Sequence, residues 1–412
     1  MIQTDVLVIG AGPAGSVAAA KINKAGYSVQ VVEREKFPRF VIGESLLPRC
    51  MEVLEDIDMI EELSKCGFQE KFGAKFLRED EISDFNFTSQ FTKGWSWTWQ
   101  VPRADFDMAL IQQVIDRGVP VHFEHTVTGI QFMDGEESIS DVVDKEGNTF
   151  QIKARFIVDA SGYGRVIPRL FNMDKPSVLE PRKAVFSHLQ DIRRASFDEP
   201  NRIIVVSYVP GVWVWIIPFS NGNTSVGFVG NREFFDQYGA YQTEQFDNLI
   251  ANNPMLHARF DQVEKIFEPR KLEAWSSKTD QFFGDGFVLT GNVTEFLDPI
   301  FSSGVMFATV SSHLASQLVI QKLEGKEVNW ADDYSKELQR GVDVFKSYVM
   351  AWYDGTLEKI FYAKNQDPLI KRQICSVLAG YVWDLNNPFV AEHEVILKKL
   401  ARLIDAKLKL NL

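Results

Sequence analysis

Three glycines at fixed spacing constrain this chain more than any other feature. Gly10, Gly12 and Gly15 fall as G-x-G-x-x-G directly after Val6 to Ile9, a short unbroken apolar run of the kind buried on both faces of a parallel sheet. The first glycine permits a tight turn, the second lets a pyrophosphate approach the backbone, and the third lets the following helix pack closely on the strand. That helix is expected from roughly Ala14 to Ala25, with its amino end and free N–H groups aimed at the phosphates. Gly26 ends it and Val29 to Val32 forms the next strand. Glu33 then stands where an acid accepts ribose hydroxyls, about 20 residues on, with Arg34 beside it. The expectation is a dinucleotide site that uses Gly10, Gly12, Ala14, Gly15, Glu33 and Arg34.

At 412 residues the chain has room for two or three packed units. An apolar content of 45% and a charged content of 24% are those of a globular protein. The net charge of −12 and the lack of a long basic block exclude nucleic acid or an anionic membrane as the main partner. Cys50, Cys66 and Cys375 have neither paired nor metal-type spacing, so no metal is expected and the setting fits a reducing cytoplasm. The nucleotide-binding strand begins at the start of the sequence, so no signal peptide is expected. No apolar run approaches the ~18 residues of a span, so no transmembrane segment is expected either. The 32 Phe and 9 Trp exceed the average; most belong to the core, but flat side chains also suit a pocket for a flat ligand.

After Glu33 comes Phe37-Pro38-Arg39, then Ile42-Gly43-Glu44-Ser45-Leu46-Leu47-Pro48, a loop rich in turn formers that opens a helix near Pro48. This stretch resembles the loop that follows the dinucleotide fingerprint in flavin-dependent halogenases. The resemblance implies that Arg39, Gly43, Glu44 and Ser45 help hold FAD. Trp95, Trp97 and Trp99 alternate at period two and are expected on one strand face, as core or as one wall of an aromatic pocket. Arg103 then begins a helix that runs to about Arg117. By resemblance Arg103 reaches the flavin side of the cofactor; read locally, it pairs with Asp107 at the helix start. Strand patterns at 121–132 and 139–145, with turns at Asp134-Gly135 and Glu146-Gly147-Asn148, predict a small antiparallel insertion. His122 and Glu124 are expected on one strand face and His125 on the other, all in surface roles. The buried strand Ala154 to Val158 ends in Asp159-Ala160-Ser161-Gly162, which in related flavoproteins closes over the adenine and pyrophosphate.

From about 175 to 275 the chain reads as β-rich, with antiparallel strands divided by turns at Pro210-Gly211 and Asn221-Gly222-Asn223. Trp213, Trp215, Ile217 and Pro218 match the halogenase Gly-Trp-x-Trp-x-Ile-Pro element, with Val212 in place of its glycine. In that family the tryptophans keep the flavin from reacting directly with an organic substrate; as plain structure they are two indoles on a core face. Gly286 to Val293 returns to the nucleotide fold, with Gly291-Asn292 where this superfamily usually has Gly-Asp. Asn292 still offers an amide oxygen to a ribityl hydroxyl. Pro299, Ser302, Ser303, Gly304 and Val305 lead into a helix to about Lys322. The amino end of that helix would favour negative charge on the flavin's pyrimidine edge. Beyond Gly325 the chain reads as helices, with a packing or lid role.

The expected fold is α/β: a Rossmann-like FAD-binding domain, a β-rich antiparallel substrate domain and a C-terminal helical region. The FAD unit is drawn from 1–80, 100–175 and 275–330, the substrate unit from 81–99 and 176–274, and the helical region from 331–412. Residues 5 to about 322 resemble the FAD frame shared by halogenases, aromatic hydroxylases and geranylgeranyl reductases. The halogenase resemblance implies a monooxygenase-like oxidoreductase that uses FAD and chloride or bromide. It places a catalytic lysine at Lys71 in Lys71-Phe72-Gly73-Ala74-Lys75-Phe76, where it captures or orients hypohalous acid; read locally, Lys71 is a solvated helix lysine. Backbone N–H groups of Ser303 and Gly304 would cradle the halide. Phe301 stands where tryptophan halogenases carry a catalytic Glu, which points away from free tryptophan and toward phenols or carrier-tethered pyrroles, with a separate flavin reductase as donor. Hydroxylation, saturation of an unsaturated substrate, and FAD binding without turnover remain the alternatives.

Overall fold

The computed structural model describes residues 1–133, 137–175, 180–273, 278–279 and 281–409. Ile2–Ile9 is the central strand of the first sheet. It pairs in parallel with Val29–Glu33 on one side and with Thr149–Asp159 on the other. Val121–Phe123 extends the sheet past Val29–Glu33, and Phe287–Leu289 extends it past Thr149–Asp159, both again parallel. Val6, Leu7 and Val8 are fully buried, as the unbroken apolar run requires of a strand covered on both faces. Helix Pro13–Lys24 covers one face, and helix Ser303–Leu323 lies against it, tied by Ser312 Oγ donating to the Ala14 carbonyl at 2.5 Å.

That second helix corrects the expectation on apolar runs. Ser303–Leu323 is long and apolar enough to cross a membrane by length and composition, but 67% of its apolar window is buried inside the protein. It is a core helix, packed against helices Pro13–Lys24 and Arg49–Asp56.

The antiparallel insertion is present as His125–Phe132, Ser138–Asp144 and the first half of Thr149–Asp159. Its turn at Glu146 to Asn148 is closed by Gly147 N–H donating to Asp144 O at 3.1 Å; the turn expected at Asp134-Gly135 lies outside the described residues. The histidines depart from the period-two reading. Glu124 takes a positive φ of 61° and breaks the strand, so the His122 and His125 rings come to the same side, 5.6 Å apart and both against Phe150. Among the described residues no cluster of three metal-type ligands occurs.

The second sheet has seven strands, in the order Arg270–Glu273, Lys183–Gln190, Asn223–Gly230, Val212–Pro218, Ile204–Val209, Gly73–Arg78 and Glu81–Asn86. All neighbours are antiparallel except Ile204–Val209 with Gly73–Arg78. The boundary drawn at residue 80 therefore cuts through a hairpin whose two strands both belong to this sheet. The 175–275 stretch is also less uniform than its turns suggest. Helices Arg232–Asp236, Gln242–Ala251 and Pro254–Phe260 cover the outer face of the sheet, where Phe246, Leu249 and Leu256 meet Val185, Val214 and Phe228.

The tryptophan stripe is likewise corrected. Only Thr98–Gln100 is a strand, and Trp95 and Trp97 lie in irregular backbone before it. The rings still meet in series, Trp95 to Trp97 at 5.5 Å and Trp97 to Trp99 at 5.3 Å, but they pack against the core and line neither of the two cavities described below. The C-terminal region is helical as expected, led by Glu337–Tyr353, Pro368–Leu378 and His393–Lys409.

One cross-strand pair shows how closely the second sheet is fitted. Gly227 lies opposite Trp215, and a Cβ on it would overlap the indole ring. Gly227→Ala should therefore lower stability by about 1–3 kcal/mol through overpacking, read by urea unfolding.

Candidate functional site

A cavity of about 680 Å³ lies between the two sheets, within the range of small-molecule and cofactor sites. Its floor is the carboxyl edge of the parallel sheet. Gly10, Gly12 and Ala14 line it from the first turn, Glu33 and Arg34 from the end of the second strand, and Ala160, Ser161 and Gly162 from the end of the third. Thr290 and Asn292 complete this wall. Two hydrogen bonds join these distant segments: Ala160 N–H donates to Ile9 O at 2.9 Å and Thr290 N–H to Asp159 O at 2.9 Å. Arg165, which the sequence reading passed over, reinforces the join by donating to Asn292 O and Val293 O at 3.2 and 2.9 Å. A smaller cavity of about 230 Å³ continues past Glu33, between His125 to Val127 and Arg169.

The glycine turn has the close fit its spacing implies. Gly10 holds φ at 102°, and a Cβ on Gly15 would overlap the Gly10 carbonyl, so Gly15 lies behind the wall and supports it. Helix Pro13–Lys24 has no side-chain cap at Gly12, so its first N–H groups remain free toward the cavity. Helix Ser303–Leu323 is likewise uncapped at Ser302, which takes a left-handed φ of 59° to turn into it. Pro299, Ser302, Gly304 and Val305 line the cavity, while Ser303 and Gly291 are buried just behind it.

Two uncapped helix ends facing one elongated space, with an acid at the second strand, suit a molecule with a pyrophosphate at one end and an electron-accepting ring at the other. Glu33 is already oriented: Oε2 accepts from Ala11 N–H and Oε1 from Glu35 N–H, both at 2.8 Å.

Loop residues Arg39, Gly43, Glu44 and Ser45 also line the cavity. Arg103 makes the local pairing and also lines the cavity. Its guanidinium meets Asp107 at 2.8 and 3.0 Å, and it donates to the Ile42 and Gly43 carbonyls at 3.2 and 3.3 Å while facing the cavity. Arg39 shares Asp107 at 3.2 Å, so one buried carboxylate anchors two cavity arginines.

The opposite wall is aromatic and comes from the seven-stranded sheet: Phe186, Trp213, Trp215, Ile203, Val205 and Ile217. The sequence pointed to the two indoles but not to their supports. Trp215 Nε1–H donates to Ser225 Oγ at 3.0 Å. Trp213 Nε1–H donates to the Tyr353 hydroxyl at 3.0 Å, which donates to Asp298 Oδ2 at 2.9 Å. Helix Glu337–Tyr353 of the C-terminal region, expected to have a packing or lid role, thus supplies the group that fixes a cavity tryptophan.

Lys71 is not a solvated helix residue. It ends the strand Gln69–Lys71, is 3% exposed, and donates to Ser45 Oγ and Leu46 O, both at 2.8 Å. It sits behind the wall, touching the cavity through Ser45. Burial pushes its ammonium down to about 7.

The family model described as FAD binding domain matches residues 3–318. The chain belongs to that family. A protein from Cytophaga hutchinsonii, described as a flavoprotein/dehydrogenase, shares 54% identity over 98% of this chain and 99% of its own, with a TM-score of 0.96. The 1H-pyrrole-2-carbonyl-[peptidyl-carrier protein] chlorinase of Pseudomonas fluorescens is 28% identical over 405 residues, covering 92% of this chain and 89% of the relative. The structure of the flavin-dependent brominase Bmp2 aligns at 25% identity and a TM-score of 0.83, covering 98% of this chain and 100% of its own. This member of the FAD binding domain family is an FAD-dependent oxidoreductase.

The Asp298 carboxyl makes a prediction about the site's own stability. Burial raises it from the ordinary 3.8 to about 6, so the folded protein holds the proton more tightly than the unfolded chain. That contribution is present in full below about pH 4 and is lost as pH rises through about 6. The stability difference between wild type and Asp298→Asn should therefore shift against wild type by up to about 3 kcal/mol between pH 4 and pH 7, read by urea unfolding at each pH.

Proposed function

We propose that this protein is a flavin-dependent halogenase for a small electron-rich aromatic ring, with Lys71 as its halogen-handling residue. The observation that carries the reading is the buried Lys71 amine. It has two neutral oxygen acceptors, Ser45 Oγ and Leu46 O, and an ammonium pushed down to about 7. A lysine in that state is a nucleophilic amine part of the time and a hydrogen-bond donor the rest, which suits capture or orientation of hypohalous acid.

FAD would be held by the turn at Gly10, Gly12 and Ala14, with Gly15 supporting it, by Glu33 and Arg34, by Arg39, Gly43, Ser45 and Arg103, and by Ala160 to Gly162. The flavin end would rest on Gly291, Asn292 and the segment Pro299 to Val305. Bound and reduced, the cofactor supplies oxygen activation that converts a halide to hypohalous acid. The Ser303 and Gly304 N–H groups, at an uncapped helix end, would hold chloride or bromide. Trp213 and Trp215 stand on the aromatic wall and keep the organic ring at a distance from the cofactor.

The ring substrate is argued from the aromatic wall and from Phe301. Phe301 is 4% exposed and packs against Phe76, Tyr348 and Trp352, so a carboxylate at this position has no place in this chain. That argues for phenols or pyrroles over free tryptophan. The Pseudomonas relative chlorinates a pyrrole-2-carbonyl group on a peptidyl-carrier protein, and a tethered ring is the corresponding proposal here, with a separate flavin reductase as electron donor. Three free cysteines, Cys50, Cys66 and Cys375, accord with a cytoplasmic setting.

A second reading, a flavoprotein dehydrogenase or reductase, has one observation in its favour, the description given to the 54% identical Cytophaga protein. The two separate on incubation of the FAD-loaded protein with a flavin reductase, oxygen, bromide and a phenol or pyrrole. The expected outcome is a brominated ring by mass spectrometry. Lys71→Ala and Lys71→Met should keep FAD but lose bromination by at least ~10²-fold. Halide-independent oxidation or reduction of the ring, or full bromination by both variants, would overturn the proposal.

A further inference from the structure

Arg270 is a cation on an otherwise apolar wall. It stands on the edge strand Arg270–Glu273, directly opposite Phe186 in the antiparallel pairing with Lys183–Gln190, and both side chains line the cavity. Leu272 and Ala184, the next pair on that face, line it too. Among the described residues that this sheet gives to the cavity, the others are all hydrocarbon or indole side chains. The opposite face of the strand carries Lys271 and Glu273, which meet at 3.7 Å. Charge on the outer side is thus balanced within the strand, and charge on the inner side is not.

Ring contacts place the guanidinium. Its carbon lies 4.6 Å from the ring centres of both Phe40 and Phe267. Phe40 stacks on Phe186 at 5.9 Å and Phe186 meets Trp215 at 5.9 Å, so the cation stands at the end of a run of rings along the aromatic wall. His188 braces Phe40 and Phe267 at 5.7 and 4.8 Å, and its Nε2 lies 2.7 Å from Glu44 Oε1. A guanidinium resting on ring faces keeps its N–H groups, which point outward in its own plane. Among the described residues no acceptor takes them up; the nearby Glu268 carboxylate accepts from Thr243 Oγ1 at 3.4 Å instead. The other arginines that line the cavity are paired, Arg39 and Arg103 with Asp107 and Arg34 with Glu35. A charge on an edge strand also deters pairing with another sheet, but that role needs neither the inward face nor the two rings beneath it.

We propose that Arg270 is a substrate-binding residue that selects rings carrying an oxyanion: its planar fork donates to a carboxylate or phosphate at the aromatic end of the cavity. The inference rests on the reading of the cavity as a site for an aromatic ring, and it adds a charge requirement. Two sources supply the same chemistry. A carboxylate on the ring itself sets the ring against Phe186, opposite Arg270. A phosphate on a thioester arm sets the ring deeper, against Trp213 and Trp215, with the arm leading out past the edge strand.

The test is equilibrium binding of two matched pairs to the FAD-loaded protein, by calorimetry and by perturbation of the flavin spectrum. One pair is pyrrole-2-carboxylate and pyrrole-2-carboxamide; the other is the pyrrole-2-carbonyl thioester of phosphopantetheine and that of pantetheine. Wild type should favour the anionic member of at least one pair by at least about fivefold at low salt. Preference in the first pair marks an anion on the ring, and in the second an anion on the arm. The preference should shrink as ionic strength rises from about 0.01 to 1 M. Arg270→Gln should bring the ratio to within about twofold, and Arg270→Lys should keep part of it, because an ammonium retains the charge without the fork. Arg270 is exposed, so neither substitution opens the core. Equal binding within both pairs by wild type would overturn the inference. An unchanged ratio in Arg270→Gln would do so too, and a fall in FAD affinity alongside it would assign the guanidinium to the cofactor. Charge discrimination that depends on Arg270, in a protein that makes no brominated product, would sustain this inference and sink the halogenase reading. Brominated pyrrole without charge discrimination would do the reverse.

Discussion

The whole arrangement depends on parallel pairing between strands far apart in the chain. Ile2–Ile9 contributes the glycine turn, Thr149–Asp159 contributes the Asp159 to Gly162 element, and Phe287–Leu289 contributes the approach to Asn292. Only a parallel register puts all three carboxyl ends at one edge, and ligands bind at that edge in open α/β sheets. Buried Asp159 secures it from below. Both of its oxygens are engaged, accepting from Ser161 N–H and Ile167 N–H at 3.0 and 2.8 Å, while its main-chain carbonyl receives Thr290 N–H. Desolvation raises its pKa nonetheless, a sign that closing this edge costs something in electrostatics.

Against that polar edge stands an apolar one. The inner face of the seven-stranded sheet presents indoles and aliphatic side chains to the same cavity, and each indole N–H is satisfied behind the wall, by Ser225 or by Tyr353. The walls therefore divide the labour. Backbone N–H groups and arginines collect near the glycine turn, where charge is expected, and the aromatic side offers few polar atoms. Arg270, from the edge strand of the same sheet, is the charged exception on that side.

How far this was legible in the sequence follows from how local each signal is. The glycine turn, the helix after it and Glu33 lie within one βαβ unit, so spacing alone placed them. The strands of the second sheet were marked by their turns, but their order was not, because Gly73–Arg78 joins Ile204–Val209 across more than a hundred residues of chain. The period-two rule misread the tryptophans and histidines for one shared reason: it assumes continuous extended backbone. Irregular chain before Thr98 and the positive φ at Glu124 each break that condition. Tyr353, Asp298 and His188 left no local signal. Their partners are other side chains, and only the packed fold brings those together. Arg165 could have been suspected as a charged residue just after the Asp159 element, though its role depends on carbonyls more than a hundred residues away.

Lys71 shows why burial, and not proximity alone, decides what a residue can do. Lys75, four residues on, is ion-paired with Glu199 and faces partial solvent. Lys71 has exchanged water for one hydroxyl and one carbonyl, neither of which compensates a full positive charge, so its ammonium is poised near neutrality. The same sequence segment thus yields two lysines of different chemistry. The difference comes from the short pairing of Gln69–Lys71 with Thr98–Gln100, which carries Lys71 inward beneath Ser45. Ser45 faces the cavity on one side and the amine on the other, so the hydroxyl is the physical link between the cavity and Lys71.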